Sequence, residues 1–391
     1  MSLALTLAGA ASLSAETLYL GAPIPATGPF SSDGEAMEKG IKLAVEDINA
    51  DGGLLGTEIE VLVFDIGDLT PDKLQAAAAN LVERNESAVL INGYGGMGPD
   101  IPAFCPYDVP YIHNDATSNV VELRDRLNCG NIFMGSDTDY NYGRYSVRQV
   151  LEMGHDFASD KIALINGPFD WELNAVRGAK DEAEEKGWQV VLEEEVPYDT
   201  KQWRGLLSKL RDAGPSLIYL ELLDPASVKT FIDQFNEDPV PGALVYVGYT
   251  ASVPAFRAVV EAGAANGVLG MTLSSHRDDE KGQAFVERWR EAYGEEPPLS
   301  IAAQIYDEVQ LWAAAVREVG DVNDHQGIAD VLRTITYEGI TGTFVFNEQQ
   351  YIDLGDDTLP PHLIQAQDGK QVQVMIGSEQ ITPFKRPNWL D

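Results

Sequence analysis

The residue pattern with the most chemical content is Gly93-Tyr94-Gly95-Gly96-Met97-Gly98, which follows an apolar run and matches G-x-G-x-x-G. In a dinucleotide site such glycines make a tight turn and let the backbone approach a pyrophosphate at a helix N-terminus. An acid further along then holds the ribose. Asp115 stands just past the next apolar run, where such an acid could sit. Pro102 and Pro106 bracket the helix that should follow, which leaves it too short for the first helix of a dinucleotide fold. The segment then reads as a glycine-rich loop at the C-terminal end of a strand, with its N–H groups facing a ligand. The alternative is a nicotinamide-dependent oxidoreductase built on 93–98.

Other catalytic constellations are thin. His113, His155, His276, His325 and His362 are scattered, without H-E-x-x-H or zinc-type Cys/His spacing. There is no G-x-S-x-G elbow and no phosphate-binding P-loop. The run Glu193-Glu194-Glu195 reads as a solvated strand end. No metal or cofactor is expected. The chain of 391 residues carries 27 Lys+Arg against 62 Asp+Glu, a net charge of −35. That argues against nucleic acid and anionic membrane surfaces, which need basic patches. The segment 3–15 is apolar and rich in small residues, without a preceding Lys or Arg. It reads as a secretory signal cut after Ala15. Cys105 and Cys129 fit one disulfide in an exported protein; two buried free thiols are the other reading.

These residues must be positioned by an alternation of short apolar strands and amphipathic helices. Strands are expected at 17–24, 58–65, 88–92 and 109–113, with helices at 34–50, 71–83 and 101–105. The alternation restarts with strands at 161–166, 190–196, 216–222 and 243–248, and helices at 172–187, 202–213 and 226–236. Helices at 301–319 and 326–335 and strands at 344–346 and 363–375 close the chain. Strands that are apolar on both faces suit parallel sheets covered by helices. The fold class expected is therefore α/β, with two Rossmann-like, doubly wound lobes.

The opening segment carries a family resemblance. It reads Pro25-Ala26-Thr27-Gly28-Pro29-Phe30, then Gly34, Gly40, Leu43-Ala44-Val45, Asp47-Ile48-Asn49-Ala50-Asp51-Gly52-Gly53 and Gly56, with a strand ending at Asp65. The glycine loop 93–98, Asp115-Ala116-Thr117, Trp171 and Tyr306-Asp307 continue it at similar spacing. This resembles the type I, leucine-binding class of solute-binding proteins of ABC importers, which includes amide and urea binders. The resemblance implies a binding protein rather than an enzyme, with a membrane permease as partner, a small-molecule solute and a periplasmic location; a monomer is expected. A ligand sensor of the same fold is the alternative within it. It also implies crossovers near 137, 272 and 347. Lobe one would comprise 16–137 with 273–346, and lobe two 138–272 with 347–391.

The resemblance also implies a ligand set. Relatives that bind amino acids hold the carboxylate with hydroxyl and N–H groups of lobe one. Here the first such loop reads Gly95-Gly96-Met97, without a hydroxyl, while Thr117 keeps the hydroxyl of the second. Asp115 departs from the small residue common there, as a ligand contact or as a helix cap beside Ala116. Trp171 takes the place of a ligand-covering aromatic. Tyr94, Phe30, Glu221, Tyr249, Thr250 and Tyr306 are the remaining candidates. An acid that often holds the amine at the strand end near Tyr249 is absent. Asp115, Glu221, Trp171 and Tyr94 together lean towards a solute with a positive or amide N–H end.

Overall fold

The computed structural model describes residues 17–390, so the expected signal segment lies outside the described residues. The first half builds one sheet from β1 (Leu18–Ile24), β2 (Ile59–Asp65), β3 (Val89–Asn92), β4 (Tyr111–His113) and β5 (Ile132–Met134). All pairs are parallel and the order is β2-β1-β3-β4-β5. Helices α1 (Ser31–Ala50), α2 (Pro71–Ala78), α3 (Asp100–Phe104) and α4 (Ser118–Leu127) connect these strands. The helix expected over 71–83 is α-helical to Ala78 and continues as a wider π-type turn over Ala79–Arg84.

After β5 the chain crosses into a second unit through α5 (Asp139–Glu152). There β6 (Lys161–Asn166), α6 (Asp170–Glu185), β7 (Gln189–Glu195), α7 (Arg204–Ala213), β8 (Leu217–Glu221), α8 (Pro225–Glu237), β9 (Leu244–Tyr246), α9 (Arg257–Glu261) and β10 (Leu269–Thr272) repeat the pattern. Their order is β7-β6-β8-β9-β10, the same winding as in the first sheet. The chain then returns, and α10 (Glu280–Tyr293), α11 (Ala302–Val319) and α12 (His325–Leu332) follow, with α11 packed on α1. A two-stranded ribbon of β11 (Tyr337–Glu338) and β12 (Thr343–Phe344) precedes the last crossing. Finally β13 (His362–Gln367), β14 (Lys370–Ile376) and β15 (Glu379–Gln380) extend the second sheet to eight strands in antiparallel fashion. The strand expected over 363–375 is this β13–β14 hairpin, which turns at Asp368 and Gly369. The fold is thus two doubly wound α/β lobes with three crossovers. No helix among the described residues is long and apolar enough to cross a membrane.

The third crossing falls later than 347. Tyr351 still bridges Met134 at the edge of the first sheet, and Ile352 N–H donates to Ser136 O at 3.1 Å. The segment behaves as a short sixth strand on the β5 edge before it leaves. Beside it, Asp137 ties the first crossing to the third. Its carboxylate accepts from Asn141 Nδ2 at 2.8 Å and from Leu354 N–H at 2.8 Å.

Strands β3 and β8 are buried along their whole length, as parallel strands covered on both faces must be. The close seam between α5 and α6 needs glycine on both sides. A Cβ on Gly143 would overlap the Ala175 carbonyl, and one on Gly178 would overlap that of Tyr140. This seam sets the position of the N-terminus of α6, which carries Trp171.

Cys105 and Cys129 form a disulfide, with a Cα–Cα separation of 5.2 Å. It staples the end of α3, just after the glycine loop, to the segment between α4 and β5. Closing a loop of 24 residues stabilises by about 3 kcal/mol on the chain-entropy account. Reduction, or the double change Cys105→Ser with Cys129→Ser, is expected to lower the melting temperature by a few degrees in circular-dichroism melts. Coincident melts with and without reductant would contradict that role.

Candidate functional site

In open sheets of this winding, ligands bind beyond the C-terminal ends of the strands where the order reverses. Those points are β1/β3 in the first lobe and β6/β8 in the second. The loops leaving these four strands face each other, and a cavity lies between them. It measures about 90 Å³ on the scale where one water needs about 10–15 Å³, so a small organic solute fits.

Lobe one contributes Phe30, Ser32 and Asp33 at the start of α1, Tyr94, Gly96 and Met97 after β3, and Asn114 and Asp115 after β4. Lobe two contributes Trp171 from α6, Leu223 and Pro225 after β8, and Tyr249, Thr250 and Val253 after β9. Four rings form two pairs, one from each lobe. Phe30 meets Tyr94 edge-on with centroids 5.9 Å apart, and Trp171 lies tilted against Tyr249 at 6.3 Å. Among the described residues, no Lys, Arg or His lines the cavity.

Two carboxyl groups do. Asp33 is buried; its Oδ2 accepts from the Tyr94 hydroxyl at 2.7 Å, and its Oδ1 has no hydrogen-bond partner. Burial pushes its pKa up to about 6, against the smaller pull of the Tyr94 bond. Asp115 is also buried, and its Oδ1 accepts from Gly95 N–H at 2.8 Å. Behind it lie Asp100 and His113, each within reach of the others. Burial first, and the Asp100 charge second, hold Asp115 well above the usual carboxylate range. Burial drives His113 down to about 4, and its Nδ1 accepts from Asp115 N–H at 3.2 Å, so the ring is neutral. Neutral imidazole and two carboxyls could in principle hold a cation. Tyr111 already donates to Asp100 at 2.8 Å, however, and Gly95 to Asp115, so the trio also stands as a hydrogen-bonded wall.

The structure thus brings Phe30, Tyr94, Gly96, Met97, Asp115, Trp171, Tyr249 and Thr250 together around one cavity. It places the other candidates outside the lining. Gly95 supports Asp115 through its N–H. Thr117 accepts from Val120 N–H at 3.2 Å and caps α4, so the cap is not Asp115. Ala116 takes a left-handed φ of 51° between the two. Glu221 sits beneath the cavity floor and accepts from Tyr249 N–H at 3.2 Å. Tyr306 donates to Asp47 at 2.9 Å and stacks edge-on with Phe285, fastening α11 to α1 away from the cleft. The Thr250 hydroxyl is spent on Leu222 O at 2.6 Å. Sequence reasoning missed Asp33 and Asn114. Asp33 lies in the first turn of α1, where an acid is already explained by the helix dipole.

Contacts across the cleft latch the lobes beside the cavity. Asp139 of α5 accepts from Ser118 Oγ at 2.6 Å on one side and from Asn174 Nδ2 at 3.0 Å on the other. Asn119 Nδ2 donates to Asp170 at 2.6 Å. Glu172 joins the two second-lobe loops, accepting from Phe169 N–H at 2.8 Å and from Leu223 N–H at 2.7 Å.

Two α/β lobes that share one solute-sized cavity at their switch points define a two-lobed receptor that encloses its ligand. The chain belongs to the periplasmic binding protein family, whose model matches residues 17–351. It is similar to the leucine-, isoleucine-, valine-, threonine- and alanine-binding protein of Pseudomonas aeruginosa, at 24% identity over 88% of this chain and 90% of that one. Among solved structures it is similar to one described as a branched-chain amino acid ABC transporter from Silicibacter pomeroyi. The TM-score there is 0.87 and the identity 26%, covering 96% of this chain and 100% of that one. It shares its fold with a branched-chain amino acid transporter substrate-binding protein of Streptococcus pneumoniae in complex with isoleucine, with a TM-score of 0.77 and 20% identity over 92% of this chain and 100% of that one.

The buried acids set a pH dependence. Burial raises Glu172 to about 7 and Glu221 to about 8. An acid whose pKa is raised on folding takes up a proton as the chain folds. Its contribution is most favourable below the unfolded value of about 4.3 and is lost as pH rises to the folded value. Ligand-free protein is therefore expected to lose thermal stability between pH 5 and 8. Glu221→Gln should flatten the part of that decline above pH 6 in calorimetric scans. A variant curve parallel to that of the wild type would contradict this assignment.

Proposed function

We propose that this protein is the periplasmic solute receptor of an ABC importer. It captures a small nitrogen-bearing solute between its lobes and presents the closed form to a membrane permease. One observation carries the reading: loops from both switch points line the same cavity, so neither lobe alone encloses the solute. Solute binding then favours the closed arrangement by its differential affinity for it, and closure is the signal a permease can read. Its similarity to branched-chain amino acid receptors supports a nitrogen-bearing solute. The reading needs no catalytic group. Its acidic surface, with a net charge of −35, suits an extracytoplasmic monomer that avoids nucleic acid.

Trp171 is the main second-lobe contact with the solute in this reading, because it covers the cavity from the N-terminus of α6. A thermal-shift screen of amines, amides, ureas, betaines and amino acids tests it. A solute at 100 times its Kd adds about 2.7 kcal/mol and raises the melting temperature by a few degrees. Trp171→Ala is expected to abolish most of that rise at the same solute concentration. The reading fails if no solute shifts the wild type and native mass spectrometry finds no co-purified small molecule.

A further inference from the structure

We propose that the part of the solute this cavity recognises is an alkylated ammonium group, held between the Phe30–Tyr94 and Trp171–Tyr249 ring pairs with its charge facing Asp33 and Asp115. The inference rests on the receptor reading above and narrows it to a chemical class.

Charge is the first argument. The cavity holds two buried carboxyls and, among the described residues, no basic side chain lines it. Asp33 Oδ1 is buried without a donor of any kind. A cationic solute supplies the missing counter-charge, whereas an anionic one meets two acids in a low-dielectric space. Thr117 Oγ1 accepts from Val120 N–H and the Thr250 hydroxyl is donated to Leu222 O. The Tyr249 hydroxyl and the Asn114 amide stay buried at the cavity without partners, neutral groups that bring no positive charge to set against a solute carboxylate. The Tyr94 hydroxyl is donated to Asp33.

Ring chemistry is the second argument. An aromatic face carries negative charge density and attracts a cation, most strongly when water is excluded. Two rings come from each lobe, so closure completes a four-ring enclosure that neither lobe offers alone. A primary ammonium spends its three N–H donors on acceptors. An alkylated one has few donors or none and a wide apolar surface, and the cavity offers matching surface in Leu69, Met97, Leu223 and Val253. The strongly acidic chain also concentrates cations near its surface and speeds their capture.

Isothermal titration with charged and uncharged ligands of one shape tests the inference. The probes are tetramethylammonium, choline, its neutral tert-butyl analogue 3,3-dimethylbutan-1-ol, glycine betaine, leucine and benzoate. Choline is expected to bind at least about 100-fold more tightly than the neutral analogue, which is a charge effect at constant shape. Comparing choline with betaine tells whether the physiological solute carries a distal carboxylate; tight binding of either supports the inference. Asp33→Asn keeps an acceptor for Tyr94 and so preserves the fold. It is expected to weaken the ammonium ligand at least about 10-fold while leaving the neutral analogue unchanged. Equal affinity for choline and its neutral analogue overturns the inference, as does an Asp33→Asn variant of wild-type affinity. Preferential binding of leucine or benzoate overturns it while the receptor reading stands. No binding by any ammonium probe to millimolar concentration overturns it as well. In that case the wider thermal-shift screen decides the receptor reading separately.

Discussion

Burial of carboxyl groups between two apolar lobes is the constraint on which the rest of this structure depends. Asp33, Asp115, Glu172 and Glu221 all lie in or against the cleft, and burial raises the pKa of each. A buried acid left alone would destabilise the fold by several kcal/mol. Here most are turned into struts. Glu172 bridges the loops after β6 and β8, and Glu221 holds the turn after β9. Gly248, with a φ of 55°, makes room for the Glu221 carboxylate, because a Cβ there would overlap it. The loops that carry Trp171, Leu223 and Tyr249 are thus fixed to one another from beneath. Asp33 Oδ1, Asp115 Oδ2 and Glu221 Oε2 remain without donors, and of these acids Asp33 and Asp115 line the cavity.

The same use of acids governs the connection between lobes. Asp137 pins the third crossover to the first, and Asp307 of α11 accepts from Ile340 and Thr341 N–H at 2.9 and 2.8 Å. Tyr142 of α5 donates to Leu273 O at 2.7 Å, where the second crossover begins. The Asp137 and Tyr142 bonds bind the crossing segments to each other, while Asp307 fastens the β11–β12 ribbon to α11. Bending is then confined to a few residues, as hinge closure of rigid lobes requires. The Ser118–Asp139–Asn174 bonds lie beside the first crossover, just past Asp137, and Asn119 meets Asp170 next to Trp171 across the cleft.

The two-lobed architecture was legible because its main strands are apolar runs separated by amphipathic helices. What escaped was hidden by local composition. Helix α5 buries Ser146 and Gln149 and uses Gly143 for close packing, so its apolar stripe is broken. In α10 the buried side chains are few, Phe285 and Trp289 chief among them, beneath a charged coat. Strand β5 is three residues long. Within the site, residue type was a fair guide and geometry decided the rest. Trp171, Tyr94 and Asp115 reach the cavity, while Tyr306, Thr117 and Glu221 spend their polar groups on Asp47, Val120 and Tyr249. Asp33 could not be found by type alone, since only the tertiary contact with Tyr94 places it.

The central claim is that both lobes are needed to hold one solute and that binding closes them. Small-angle scattering of the purified protein, free and saturated with a bound solute, measures this directly. The account predicts a more compact particle on saturation, and weaker compaction when Asn119→Ala removes the bond to Asp170 across the cleft. Scattering unchanged by a solute that calorimetry shows to be bound would place the site on a single lobe and contradict the account.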